Sequence, residues 1–282
     1  MQRIDVYLKP RCVEEAVHMM AMNEGAKLLS GGTDLIIQIH DWSVSPPCLV
    51  DIGGIPEISR VHEEHDEIVI GSTVTFAQLE KNDLILKYCL ALAEAASQVA
   101  APQIRNRATI GGNVGNAAVA ADSIPPLMVF DAVVELASIR GIRRVPISEL
   151  IIDMNKTCIQ HDELITCIRI PKVQVKSAFE KIGRRKAQAI SRICLAVAVT
   201  SSNNVIDNSK IAVGAAGRKA YLCPNVSDVL HGKELTGDSI RDACAVLDET
   251  VAEVLGNRPT APYKRAIASA SLERALGRLL EE

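Results

Sequence analysis

Aromatic side chains are scarce in this sequence: 282 residues hold one tryptophan, four tyrosines and three phenylalanines. Neither a base-stacking platform nor an aromatic-lined sugar groove is to be expected, and the core has to be aliphatic. An excess of positive charge is also lacking. The 31 Lys and Arg are set against 34 Asp and Glu, a net charge of −3, which removes the electrostatic reason for a nucleic-acid partner. No apolar run reaches the ~18 residues of a membrane span. The most apolar stretch, Ile190 to Thr200, is broken by Ser191 and Arg192, and Asp5 falls where a signal peptide needs its apolar region. These absences predict a cytoplasmic protein. The eight cysteines, at 12, 48, 89, 158, 167, 194, 223 and 244, form no C-x-x-C pair and no ligand cluster, so reduced, mostly buried thiols are predicted.

What is present is 48% hydrophobic residues in a chain long enough for about two domains, ample for a packed core. Val13, Ala16, Val17 and Met20 recur at helical spacing before Gly25. Lys27 to Ser30 reads as a short buried strand running into Gly31-Gly32, with Thr33-Asp34 placed to cap a helix through Ile39; Cys48 to Ile52 reads as a second strand. Segments 58–61 and 67–71 flank a polar turn as a hairpin, and Phe76 to Val99 is mostly helical. A helical segment from Asp122 to Phe130 follows, then a hairpin of Val133 to Ala137 with Ile142 to Pro146, and a strand from Glu163 to Ile170. After Lys172 three strands read as a meander, Ala178 to Arg184, Ile193 to Thr200 and Ile211 to Ala215, and helices Ile240 to Leu255 and Tyr263 to Leu280 follow. The predicted class is α+β, divided at 1–55, 56–172 and 173–282.

Two glycine-bearing loops carry the chemistry. Ser30-Gly31-Gly32-Thr33-Asp34 presents consecutive backbone N–H groups at a helix start, where an anion is favoured; taken alone, the better reading is a tight turn that needs glycine only for its backbone angles. Thr109-Ile110-Gly111-Gly112-Asn113-Val114-Gly115-Asn116 repeats the pattern about 80 residues later and adds amide side chains. Two anion cradles suit one diphosphate. Neither contains Gly-x-Gly-x-x-Gly or the lysine of a phosphate-binding P-loop, so a nicotinamide dinucleotide on a doubly wound sheet is disfavoured. His62-Glu-Glu-His65 is one residue short of the zinc helix motif and reads as a solvated turn. Cys158 and Cys167 lack reactive-dithiol spacing, and no Gly-x-Ser-x-Gly elbow supports hydrolysis. The basic run Lys181, Arg184, Arg185, Lys186 reads either as a solvated strand end or as a docking edge for an acidic partner or an electron acceptor.

With both loops in view, the sequence resembles the FAD-binding subunits and domains of the molybdenum hydroxylases, a family that includes xanthine, carbon monoxide, nicotinate and aldehyde dehydrogenases. Lys27-Leu-Leu-Ser-Gly-Gly-Thr-Asp-Leu35 looks like that family's first pyrophosphate loop, and Ala108-Thr-Ile-Gly-Gly-Asn113, followed by Asp122 and Pro125, looks like its second. The resemblance implies a two-module FAD-binding fold of the vanillyl-alcohol-oxidase type, then a C-terminal αβ domain of a three-stranded sheet plus helices. It implies that Leu28, Leu29, Ser30, Gly31, Gly32, Thr33, Asp34 and Leu35 lie along a non-covalently held FAD, with Ala108, Thr109, Gly112, Asn113, Asn116 and Asp122 from the second loop and Ile190 near the flavin ring. The chain departs from the family at Ala118-Val119, where many relatives carry Ser-Pro, and at Arg218-Lys219, where a proline is more usual.

The function so implied is electron relay. A molybdopterin-binding subunit hydroxylates the substrate, a two-iron two-sulfur subunit passes electrons singly, and this chain's FAD delivers them in pairs to NAD⁺ or another acceptor. No acid–base dyad is then needed from the protein. Two other readings stand beside it: a free-standing FAD-dependent oxidoreductase, and an assembly subunit that has lost its flavin.

Overall fold

The computed structural model describes residues 4–185 and 188–281. Three main sheets follow one another along the chain. The first is parallel, in the order Val6–Leu8, Cys48–Asp51, Lys27–Leu29. The second is antiparallel, in the order Val61–Glu64, Glu67–Gly71, Leu164–Pro171, Val133–Ser138, Gly141–Pro146. The third is antiparallel, in the order Lys176–Gly183, Ser191–Ser202, Val205–Gly214, Tyr221–Leu222. The last of these is a fourth strand beyond the predicted meander; at two residues it has no periodicity for a sequence to display. The α+β class holds, and among the described residues no helix is long and apolar enough to cross a membrane.

The helix Val13–Met22 buries Ala16, Val17 and Met20, three positions on one face, against Val50 of the first sheet and Leu164 of the second. The span from Phe76 is less regular than predicted, being three helices, Phe76–Leu79, Asp83–Tyr88 and Leu90–Ser97. Thr75 caps the first of them, and the first break has a local cause, because Asn82 turns its side-chain oxygen onto the Leu84 and Ile85 N–H groups and so starts a new helix; the second break, at Cys89, has no side-chain cap. A helix Pro224–Leu230 and a small hairpin, Ile151–Asp153 with Lys156–Thr157, also lie outside the sequence reading.

Strand alternation explains how the third sheet serves two cores. In Ser191–Ser202 the residues Ile193, Leu195, Val197 and Val199 pack with Leu247, Val251, Leu272 and Leu276 of the long helices Gly237–Leu255 and Ala261–Glu281. The intervening Cys194, Ala196 and Ala198 face the other way and join Ala91, Ala95 and Leu127 of the second module. Small side chains there let the helices Leu90–Ser97 and Ile124–Val129 lie close to the sheet. A charged tie closes the same junction. Arg278 donates to both carboxylate oxygens of Glu94, at 2.9 and 3.1 Å, and to the Phe179 carbonyl at 3.1 Å, while the Phe179 N–H donates to Glu94 at 2.7 Å.

The tie is partly exposed, which limits its worth, but truncating it strands a buried carbonyl. Arg278→Ala is expected to lower the urea midpoint by the equivalent of about 1–2 kcal/mol, followed by circular dichroism. An unchanged midpoint would show that the apolar contacts alone hold the two parts together.

Candidate FAD site

The two loops meet at the junction of the first and second sheets. Gly31 lies so close to the second loop that a Cβ built on it would stand 1.9 Å from the Arg107 carbonyl oxygen. Only glycine allows that approach. Beside it the Ser30 and Thr109 hydroxyls lie 3.1 Å apart in a hydrogen bond. The loop then turns through Gly32, whose φ of +74° lies in the left-handed region, into the helix Leu35–His40. Asp34 occupies the N-cap position but makes no side-chain cap bond. Among the described residues the backbone N–H groups of Gly31, Gly32, Thr33 and Asp34 donate to no protein acceptor. Four adjacent donors left open in this way are free for an acceptor outside the protein.

The second loop differs from its sequence reading. Ile110–Asn116 is a helix, started by Thr109, whose hydroxyl accepts from the Gly112 N–H at 3.2 Å. The Ile110 N–H donates to Val74, and the Gly111 N–H to Ser72, so this segment's main-chain donors are mostly engaged. What it offers instead is a thin face and side chains. Gly112 and Gly115, one turn apart, border the cavity with Asn113 and Asn116. Asn113 Oδ1 accepts from Ser123 at 2.6 Å, which aims its amide donor the other way.

Both loops border a cavity of about 470 Å³. Of the fifteen residues singled out by sequence, Leu28, Ser30, Gly31, Gly32, Thr33, Asp34, Leu35, Ala108, Thr109, Gly112, Asn113 and Asn116 line it. Leu29, Asp122 and Ile190 do not. Leu29 lies beneath the loop, its side chain facing Gly32. Asp122 is buried, salt-bridged to Lys181 at 2.6 Å and accepting from the Ser191 hydroxyl. Burial pushes its carboxyl up, and Lys181 and Ser191 draw it back. Ile190 is 81% exposed in the connection between two strands of the third sheet. Of the basic run, Lys181 is spent on Asp122 and the Gln98 carbonyl; Lys186 lies outside the described residues.

One wall was not assigned to the site from sequence, although Glu163 to Ile165 were read as the start of a strand. Thr157, Ile159, Gln160, His161, Glu163, Leu164 and Ile165 close the cavity on the side of the second sheet. Their arrangement depends on pairing with a hairpin some twenty residues earlier, for which the sequence carries no local signal. Cys158 and Cys167, close to this wall, are free thiols, and burial raises the Cys167 thiol to about 11, well away from a reactive thiolate. Among the described residues no group of three or more His, Cys, Asp or Glu is placed to hold a metal ion.

A cradle of open N–H groups facing a glycine-thinned helix matches a dinucleotide diphosphate, and comparison with known proteins agrees. The family described as the FAD binding domain in molybdopterin dehydrogenase matches residues 2–173, and the carbon monoxide dehydrogenase flavoprotein C-terminal domain matches residues 177–279. The chain belongs to this family of molybdenum-hydroxylase flavoprotein subunits, which are oxidoreductase components with FAD as cofactor. It is 32% identical to the nicotinate dehydrogenase FAD-subunit of Eubacterium barkeri, over 92% of this chain and 90% of that one. It is 35% identical to the xanthine dehydrogenase FAD-binding subunit of Escherichia coli O157:H7, over 81% of this chain and 80% of the other. A solved carbon monoxide dehydrogenase of Hydrogenophaga pseudoflava superposes with a TM-score of 0.91 at 27% identity, covering 98% of this chain and 97% of its counterpart.

The two glycines make separable predictions. Gly31→Ala drives a methyl into the Arg107 carbonyl and is expected to lower both the melting temperature and the flavin content of the purified protein. Gly112→Val meets only the Thr109 hydroxyl, at 2.9 Å, and otherwise enters the cavity. It is expected to leave the melting temperature of the apoprotein within a few degrees of the parent while flavin content falls at least tenfold. The ratio of absorbance at 450 and 280 nm reads both; a Gly112→Val protein with full flavin would place the cofactor elsewhere.

Proposed function

We propose that this chain is the electron-relay subunit of a cytoplasmic, multi-subunit molybdenum-dependent dehydrogenase. Its partners are a two-iron two-sulfur subunit and a molybdopterin-binding subunit, and its acceptor is NAD⁺ or a comparable oxidant. The observation that carries the reading is the open row of N–H groups from Gly31 to Asp34 bordering the same cavity as Gly112. FAD supplies a two-electron redox centre when bound. The protein binds and orients: Ser30, Gly31, Gly32, Thr33 and Asp34 hold the diphosphate, Thr109, Asn113 and Asn116 donate from the opposite side, and Leu28, Leu35 and Ala108 exclude water. Leu29 supports the loop from below. Asp122 and Ile190, outside the cavity and toward the third sheet, are left for the flavin-ring end. The relatives are named as subunits of dehydrogenases for different substrates, nicotinate and xanthine among them, which supports a shared relay role with substrate choice made in another subunit.

The attachment is non-covalent in this reading, because neither loop contains a histidine or cysteine to join the flavin ring. Acid precipitation of the purified protein is expected to leave the yellow colour in the supernatant; colour in the pellet would contradict it. Anaerobic mixing of the isolated chain with purines, aldehydes and N-heterocycles is expected to leave the flavin oxidised, and bleaching only after the partner subunits are added. Rapid bleaching by one of these compounds with the chain alone would make it a free-standing oxidoreductase.

A further inference from the structure

At one end of the third sheet positive charge gathers without a counterpart. Gly183 pairs with Ser191 and Cys194 with Gly214, so the connections 184–190 and 215–220 leave the sheet at the same end. The loop ahead of the last helix joins them there. Lys264, in the first turn of Ala261–Glu281, donates through Nζ to the Ala215 carbonyl, and the Ala261 N–H donates to the Arg258 carbonyl at 2.8 Å. Segments 184–192, 215–220 and 256–264 together hold eight Lys or Arg and no Asp or Glu, in a chain whose net charge is −3. The concentration is therefore local and not the overflow of a basic composition.

Some of these cations are occupied. Arg218 pairs with Asp153 at 2.6 Å, Lys219 donates to the Ile151 carbonyl at 2.8 Å, and Arg185 donates to the Gln188 carbonyl at 2.6 Å. Arg192, Arg258 and Lys264 differ: among the described residues none of the three is paired with a carboxylate. The Asp122 carboxylate, which accepts from Ser191 next to Arg192, is engaged by Lys181 at 2.6 Å. By register Arg192 stands opposite the turn that begins at Ala215, whose carbonyl Lys264 holds. Burial, together with the charges of Arg192 and Arg258, lowers the pKa of the Lys264 ammonium. A lysine in the first turn of a helix also sits at the end where a cation is disfavoured, and this turn has no acidic residue to offset it. Like charges gathered in this way cost folding free energy, and an anion between them recovers it.

Resting on the relay reading above for the identity of the ligand, we propose that Arg192, Arg258 and Lys264 form an anion site that holds the diphosphate of a dinucleotide electron acceptor. None of the three lines the cavity at the glycine loops, so the site is separate from the Gly31–Asp34 cradle. Two guanidinium groups and an ammonium exceed the need of one carboxylate and match the two charges of a diphosphate, whose oxygens suit guanidinium forks. The site adjoins Ser191 and its partner Asp122, on the side left above for the flavin ring.

The test uses the full-length, FAD-loaded protein in a chloride buffer. ADP-ribose and inorganic pyrophosphate are titrated by calorimetry, and the flavin absorbance of the filtrate follows any release of cofactor. Equimolar binding of each without release is expected. Arg192→Gln and Lys264→Gln are each expected to weaken both ligands by about tenfold or more, the loss of a charge-assisted contact, with flavin content unchanged. Arg258→Gln, at an exposed position, keeps the proposal open to refutation should a variant at a partly buried position fail to fold; it is expected to weaken both ligands in the same direction. No binding of either ligand to the loaded parent, flavin release in step with binding, or affinities that the variants leave unchanged would overturn the proposal. Binding of pyrophosphate but not of ADP-ribose would also overturn it. So would a loss of association with partner subunits in Arg192→Gln when the parent binds no ADP-ribose, a result that favours a docking edge for an acidic protein. A purified parent that takes up no FAD would overturn the relay reading itself, a distinct result.

Discussion

The contact of Gly31 with the Arg107 carbonyl is the constraint from which the site follows. The first sheet and the second belong to separate stretches of chain, each with its own buried apolar set, and at this point their backbones touch with no side chain between. The contact fixes how far apart the cradle and the glycine-faced helix stand, and the Ser30–Thr109 hydroxyl pair fixes how they are turned. A cavity between modules forms wherever two convex bodies meet; here it has polar groups on one lip, a bare helix on the other, and an aliphatic floor.

The two lips, although written in similar sequence, do different work. In the first, glycine's backbone freedom leaves donors open, because no hydrogen-bond ladder has begun. In the second, a helix has begun, so the donors are consumed and glycine serves to keep bulk away from the cavity. The equivalence suggested by sequence was therefore one of composition, and the structure resolves it into a receptor and a spacer. The division suits a protein that holds and orients a redox group, for which rigidity matters more than proton transfer.

Much of this was legible because it is local. The Lys27–Leu35 strand, turn and helix start follow from glycine's tolerance of positive φ, and the long C-terminal helices follow from their apolar spacing. The helix at Ile110 was not legible, because three glycines within seven residues argue against helix; Thr109 capping and the packing of Gly111 on Ser72 overcome that preference. Asp122 was singled out for the second loop, yet its carboxylate answers to Lys181, 59 residues away, and this pairing depends on the third sheet docking as it does. The wall at 157–165 was missed for the same reason, since Arg143 and Glu163 meet only through the register of one hairpin on its neighbouring strand.

The open row of N–H groups at Gly31–Asp34 also governs how the empty protein behaves. Backbone donors without protein acceptors are open to water and to small anions from solution, so on the FAD reading proposed above inorganic phosphate or sulfate competes with the cofactor's diphosphate. Its apparent affinity for cofactor therefore depends on the buffer, falling in phosphate and recovering in a buffer whose ions are bulky cations paired with chloride.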